Sequence, residues 1–262
     1  MKIALLLSTY NWPEALALIL KSIKAQSQFP DELLIADDGS KPKTKSLIDA
    51  FKTEVSFPVN HIWHEDNGFQ KSIILNRAIA ATDAEYIIQI DGDCILHKRF
   101  IADHTAFAKE NQYLYGSRVN IKEEYATKVV DDGKINFNLG SKEIKNKMRT
   151  IHSPVLSNFF KPQEELSRKL RGCNVSYWRR DFIAANGYNE DMTGWGKEDS
   201  EFILRLVNAG IKGRRLRYRG IVFHIWHKIS SKQRLPINEN IQQETMAMNR
   251  TRCENGVDKY LK

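Results

Sequence analysis

The chain has 262 residues, 42% of them hydrophobic and 27% charged, a composition ordinary for a globular enzyme or binding protein, which argues against disorder and leaves room for one large core or two modest ones. Forty basic against 32 acidic side chains give a formal charge of +8, which favours anionic partners such as nucleic acid, an anionic membrane surface or phosphorylated ligands without choosing among them. Cys94, Cys173 and Cys253 lie far apart with no CxxC pair, and the apolar start is interrupted by Ser8 to Glu14, so the expectation is a cytoplasmic chain whose membrane contact is at most peripheral.

From the N-terminus, apolar strands and amphipathic helices alternate. A strand over "KIALLL" is followed by a helix from about Pro13 to Gln26, a strand over "ELLIADD" and a helix near Lys43 to Phe51. A strand around Val59 to Trp63, a helix from Gly68 to Ala81 and the strand "EYIIQID" continue the series. This alternation predicts an α/β fold with a mostly parallel central sheet flanked by helices, whose ligands bind beyond the carboxyl ends of the strands. Polar residues stand at four such ends: Ser8 to Asn11, Asp37 to Ser40, His64 to Gly68 and Asp91 to Asp93. Asn11, Pro13 and Glu14 predict a side-chain cap for the first helix. Residues 118–160 are polar and aperiodic, which predicts an irregular or partly helical insertion with the character of a mobile loop. A helix from about Lys197 to Ala209, a strand near Ile221 to Trp226 and a polar, partly helical tail over 228–262 complete the chain.

Two aspartates at the tip of an apolar strand, Asp91 and Asp93, call for a compensating cation. On an extended strand they leave the same face, Gly92 lets a ligand approach the backbone, and oxygen ligands suit Mg²⁺ or Mn²⁺ bridging phosphate oxygens. A calcium loop is excluded, because Ile95 stands where that loop needs an acid or amide. Asp37 and Asp38 fit either a plain turn or recognition of a base or ribose.

In "TGWGKEDSEFILRLVNAG", Phe202, Ile203, Leu206 and Val207 form an apolar helical face, and Glu198, Asp199 and Glu201 crowd the first turn, where the helix dipole favours anions. Trp195 and Gly196 just ahead of it place an aromatic platform beside a carboxylate, an arrangement suited to holding and deprotonating a sugar. His224 and His227 would face opposite ways on a regular strand, so no more than one of them is expected on a metal. The basic run Lys212 to Arg219 reads as a solvated strand edge, with anionic lipid or a phosphorylated acceptor as the functional alternative.

In combination, "STYNWPEAL", "IADDGS", "GFQKSIILNRAIAAT" and "DGDC" resemble family 2 glycosyltransferases of the GT-A fold. "LRGCNVSYWRRDFIAANGYNEDMTGWGKEDSEF" is similar to the galactosyltransferase-type segment of β-1,4-galactosyltransferases, chondroitin polymerases and polypeptide N-acetylgalactosaminyltransferases. The resemblance covers about Lys2 to His227. It implies a single Rossmann-like nucleotide-diphospho-sugar transferase domain over 1–227, with a nucleotide-sugar half (1–117), the variable insertion (118–160) and an acceptor and catalytic half (161–227).

The implied activity is inverting transfer from a UDP-sugar to a glycan or lipid-linked acceptor, assisted by Mn²⁺ or Mg²⁺, in bacterial surface polysaccharide or lipopolysaccharide synthesis. By this resemblance Thr9, Tyr10, Asn11, Asp37 and Asp38 surround the nucleoside, while Asn67, Lys71 and Arg77 meet the rest of the donor. Asp91, Gly92 and Asp93 hold ribose and metal, completed by His224 or His227. Asp199 is the implied base and Glu198 its neighbour that orients hydroxyls, with Asn174, Trp195 and Gly196 at the acceptor. Lys197 replaces a small residue of the Trp-Gly-Gly-Glu-Asp pattern, which leaves the acceptor's identity open. A sugar-nucleotide nucleotidyltransferase would need a glycine-rich basic loop where "LLSTYNWPEA" stands. A polyanion-binding module fits the charge, but no nucleic-acid motif is present and no nucleic acid is expected as partner.

Overall fold

In the computed structural model, which describes residues 1–228 and 231–261, the first strand feeds two different cores. Strand β1 (Ile3–Thr9) sends Ile3, Leu5 and Leu7 to one face and Ala4 and Leu6 to the other, all of them buried. A strand apolar on both faces needs a covering layer on each side. The following elements supply those layers: α1 (Pro13–Lys24), β2 (Glu32–Asp37), α2 (Pro42–Lys52), β3 (Val59–Trp63), α3 (Lys71–Ala80) and β4 (Tyr86–Asp91). Helices α1 and α2 pack on the face of Leu5 and Leu7, and α3 packs on the face of Leu6.

The second half adds β5 (Cys94–Leu96), α4 (Phe100–Phe107), β6 (Gln112–Tyr115), β7 (Ser117–Asn120), α5 (Glu123–Asp131), α6 (Pro154–Ser157), β8 (Asn174–Trp178) and α7 (Arg179–Ala184). It ends with α8 (Glu198–Asn208), β9 (Lys212–Arg215), β10 (Ile221–His224) and α9 (Leu235–Ala247). The seven-stranded sheet runs β3-β2-β1-β4-β8-β6-β9, with β8 antiparallel to both neighbours and every other pair parallel. It is the expected mostly parallel α/β sheet. Register aligns Thr9 with Asp37 and Ser8 with Asp91, so the polar strand ends share one edge. A three-stranded sheet, β5-β10-β7, pairs His224 with both Cys94 and Asn120 and thereby carries the end of β10 to the residue after Asp93.

Several local expectations are corrected. Asn11 does not cap α1; the cap position is Trp12, without a side-chain bond, while Asn11 sits at φ 45° and accepts from the Lys41 N–H at 2.9 Å. The 118–160 insertion is folded into the protein: Val119, Ile121, Val129 and Ile144 are buried in the first core, and backbone bonds join Lys122 to Glu143 and Lys145 to Asn120, each at 2.8 Å. In the C-terminal tail, of which residues 229, 230 and 262 lie outside the described residues, α9 lies against α8, and the Asn238 amide donates to the Gly196 carbonyl at 2.9 Å. Of the basic run only Lys212 to Arg215 form the edge strand β9, where Arg214 lies 4.2 Å from the centre of the Phe107 ring, whereas Arg219 turns inward onto Asp103. No helix among the described residues is long and apolar enough to cross a membrane.

Candidate active site

At the polar strand ends the chain forms a crevice of about 1420 Å³. Lys71, the first residue of α3, reaches into it with Nζ 3.0 Å from Asp91 Oδ1, 3.7 Å from Asp199 Oδ2 and 3.8 Å from Glu198 Oε1. Just before α8 the chain takes left-handed conformations at Gly194, Gly196 and Lys197, with φ of 73°, 109° and 76°. Glycine adopts these freely, whereas Lys197 does so under strain. This tight entry opens α8 with Glu198 and Asp199, both lining the crevice.

A buried polar network fixes Asp199. Its Oδ1 lies within 3.4 Å of the Gln89 amide and 3.3 Å of the Tyr188 hydroxyl, and Gln89 Oε1 accepts from Tyr177 and Tyr188, each at 2.8 Å. On its other side the carboxylate presses on Gly172, where a Cβ would stand 1.7 Å from Asp199 Oδ2. A methyl there would have to displace the carboxylate. Burial pushes Glu198 up to about 7, aided by the Asp199 charge and opposed by Lys71. Asp199 is likewise raised by burial, with Lys71 holding it partly down. Burial would lower Lys71, but Asp199, Asp91 and Glu198 together keep it well above the usual lysine range. The arrangement is a fixed cation among carboxylates, one of which ionises near neutrality.

Asp91 and Asp93 do not leave one face of an extended strand. Strand β4 ends at Asp91, and the turn that follows sends the two carboxylates to different partners. The Gly92 N–H donates to the Ser8 carbonyl at 2.7 Å, and Asp91 Oδ1 accepts from the Ser8 hydroxyl at 2.8 Å. Asp93 Oδ2 lies 2.9 Å from His227 Nε2 and 3.4 Å from His224 Nε2. The expectation that the two rings face opposite ways is therefore corrected: both stand at Asp93. Strand β10 ends at His224, so strand alternation no longer governs His227, and both rings converge.

Burial would raise Asp93, but the two imidazoles hold it well below the usual carboxylate range, and Asp93 in turn lifts His227 to about 9. One donor atom from each of the three residues lies within 4.8 Å of the others. A carboxylate with two imidazoles fits a divalent transition metal, and Mn²⁺ better than the strictly oxygen-seeking Mg²⁺.

Thr9, Tyr10, Asp38, Gly92, Trp195 and Gly196 also line the crevice. Asp38 Oδ1 lies 2.7 Å from His64 Nε2, its Oδ2 accepts from the Gln70 N–H at 3.0 Å, and burial raises its pKa against the pull of His64. The remaining expected residues are not brought there. Asp37 is fully buried on the Ser40 N–H and His61, at 2.8 and 2.9 Å, and Asn11 ties two loops together. Asn67 is exposed, Arg77 sits over the Tyr260 ring at 5.5 Å, and buried Asn174 donates to the Gly220 carbonyl at 2.7 Å. Gln89, Tyr188 and Gly172 were missed. Gln89 carried a legible signal, a lone amide inside an apolar strand, because such a group is buried only with partners.

The chain matches the family described as glycosyl transferase family 2 over residues 5–166, and the N-terminal domain of galactosyltransferase over residues 154–228. Chondroitin synthase of Escherichia coli is 21% identical over 236 residues, 79% of this chain and 32% of that protein. The O-antigen chain rhamnosyltransferase RfbN of Salmonella typhimurium is 36% identical over 101 residues, 37% of this chain and 29% of its own length. The chain thus spans about a third of these curated relatives. Among solved structures, S. aureus TarS 1-349 superposes with a TM-score of 0.63 at 14% identity, covering 99% of this chain and 68% of the other. The mannosyltransferase PcManGT from Pyrobaculum calidifontis, solved with GDP-Man and Mn²⁺, gives 0.63 at 14% identity, covering 97% and 66%. At that identity the structures speak for a shared GT-A fold alone. With the family description spanning 162 residues of the 262, the chain belongs to glycosyl transferase family 2.

Proposed function

We propose that the chain is a metal-dependent, inverting transferase that moves a hexosyl or N-acetylhexosaminyl group from a UDP-sugar to a hydroxyl of a glycan or lipid-linked acceptor. The setting would be bacterial surface polysaccharide or lipopolysaccharide synthesis on the cytoplasmic side. The observation that carries this reading is the meeting of Lys71 with Asp91, Glu198 and Asp199 in the crevice that also holds Asp93, His224 and His227.

In this reading residues 1–117 bind the donor, with Thr9, Tyr10 and Asp38 at the nucleoside and Asp91 at the ribose. Residues 161–227 present the acceptor. Asp199, held by Gln89 and Tyr188, takes the proton from the acceptor hydroxyl as its oxygen attacks the anomeric carbon from the side opposite the diphosphate. Trp195 packs on a sugar ring, Glu198 orients hydroxyls, and Lys71 balances the carboxylates and faces the leaving anion. Mn²⁺ or Mg²⁺ held by Asp93, His224 and His227, with Asp91 beside them, would neutralise charge developing on the departing diphosphate.

The relatives agree in kind: one is named for chondroitin synthesis, one for the O-antigen chain, and TarS has been solved with UDP-GlcNAc. Calorimetric titration with UDP-, GDP- and TDP-sugars, each with and without Mn²⁺, tests the proposal. One UDP-sugar should bind only with Mn²⁺, and Asp199→Asn should keep that binding while losing about 10²–10⁴-fold in transfer. Folded protein that binds none of the sugars removes the reading, and undiminished transfer by Asp199→Asn removes the base.

A further inference from the structure

Helix α6 is turned inside out. Its serine faces the protein: the buried Ser157 hydroxyl accepts from Arg219 Nε at 3.0 Å, while the backbone N–H of the capping Ser153 donates to the Tyr218 carbonyl at 3.0 Å. Its apolar residues Val155 and Leu156 face water, Val155 being 71% exposed, and so do Phe159 just past its end, 76% exposed, and Met148 before it. Clustered large apolar side chains on a surface mark contact with something apolar.

The same stretch is basic. Residues 144–163 contain no aspartate or glutamate, and Lys145, Lys147, Arg149 and Lys161 form no ion pair among the described residues. Arg149 instead donates to the Arg118 carbonyl at 2.9 Å, which ties this patch to the wall of the crevice, where Arg118 and Lys145 both stand.

From this we infer that segment 145–161 docks the protein onto an anionic lipid surface, with Val155, Leu156 and Phe159 entering the headgroup region and the four cations meeting the lipid anions. Apolar side chains interleaved with unpaired lysine and arginine match a surface that is negative outside and hydrocarbon beneath. A second copy is the wrong occupant, since pairing the patch with itself would oppose four cations to four. On the proposed function, docking here puts the mouth of the crevice at the bilayer, within reach of a lipid-linked acceptor. The docking itself does not depend on that function.

Flotation of the full chain with vesicles of phosphatidylcholine alone, and of phosphatidylcholine with phosphatidylglycerol, tests the inference without any sugar nucleotide. The protein should float with the anionic vesicles, less so as salt rises, and weakly with the neutral ones. Val155→Ser with Phe159→Ser should weaken flotation by about tenfold or more. Lys147→Gln with Arg149→Gln should weaken it by roughly fivefold per charge, on anionic vesicles only. All four side chains are exposed, so the variants should keep the circular dichroism and melting of the parent. Folded parent protein that fails to float at low salt, or a Val155/Phe159 variant that floats as well as the parent, overturns the proposal. So does a variant whose only change is from dimer to monomer, which would make the patch a contact between copies.

Discussion

Asp93 with His224 and His227, and Asp103 with His97 and His152, are the same three side chains gathered to the same closeness, yet they suit different tasks. Asp103 is fully buried and saturated: Arg219 lies 3.0 Å from Oδ1, the Gly220 N–H donates to Oδ2 at 3.0 Å, and His152 stands 3.0 Å from both oxygens. The guanidinium already supplies the cation. The cluster fastens α4 to the turn before β10 and to the segment leading into α6, and His97 stacks on His152 with centroids 5.0 Å apart. Asp93 has no guanidinium or ammonium partner among the described residues and opens to the crevice. Residue type alone does not make a metal site; what else the carboxylate holds decides.

The largest expected effect that sharpens this contrast is on stability. Arg219→Met leaves Asp103 buried without its cation and should cost about 3–5 kcal/mol in urea unfolding, whereas Asp93→Asn, at the open crevice, should cost less, about 1–2 kcal/mol after solvent screening. Equal losses would make both clusters structural. Next comes metal binding. Mn²⁺ at about a hundred times its Kd should stabilise the protein by about 2.7 kcal/mol, seen as a raised Tm. Asp93→Asn should abolish the rise and His152→Ala leave it intact; the opposite pattern would move the metal to the Asp103 cluster.

The smallest effect is on pH dependence. Burial, with the neighbouring His152 ring, pushes His97 down to about 4, so the unfolded chain takes up this proton at a higher pH than the folded one. The contribution is therefore complete above the unfolded value of about 6.5 and is lost as pH falls towards about 4, on the order of 1 kcal/mol after solvent screening. In a pH series of urea unfolding curves His97→Gln should flatten that window, and an unchanged slope would exclude His97 as its source.

Much of this was legible in the sequence because strands apolar on both faces demand a covered parallel sheet, and a polar residue after each strand marks the ligand edge. Side-chain destinations beyond a strand's end were not legible. Asp37 and Asp38 are adjacent, yet one locks onto His61 inside and the other lines the crevice. His224 and His227 converge because β10 stops between them. Glu201 read as one more acid of a helical first turn, but it is fully buried on Arg205, four residues on, through two contacts of 2.8 Å. The insertion read as irregular because its apolar residues enter the core one or two at a time from several short elements, which leaves no period to detect.

The bare backbone at position 172 has a practical consequence. Since a single methyl there would occupy the place of the Asp199 carboxylate, Gly172→Ala is a change of one carbon that displaces the proposed base while leaving every donor-facing side chain intact. Such a variant could be loaded with donor and acceptor together and would hold both unreacted, a means of capturing on the protein the acceptor that its sequence does not name.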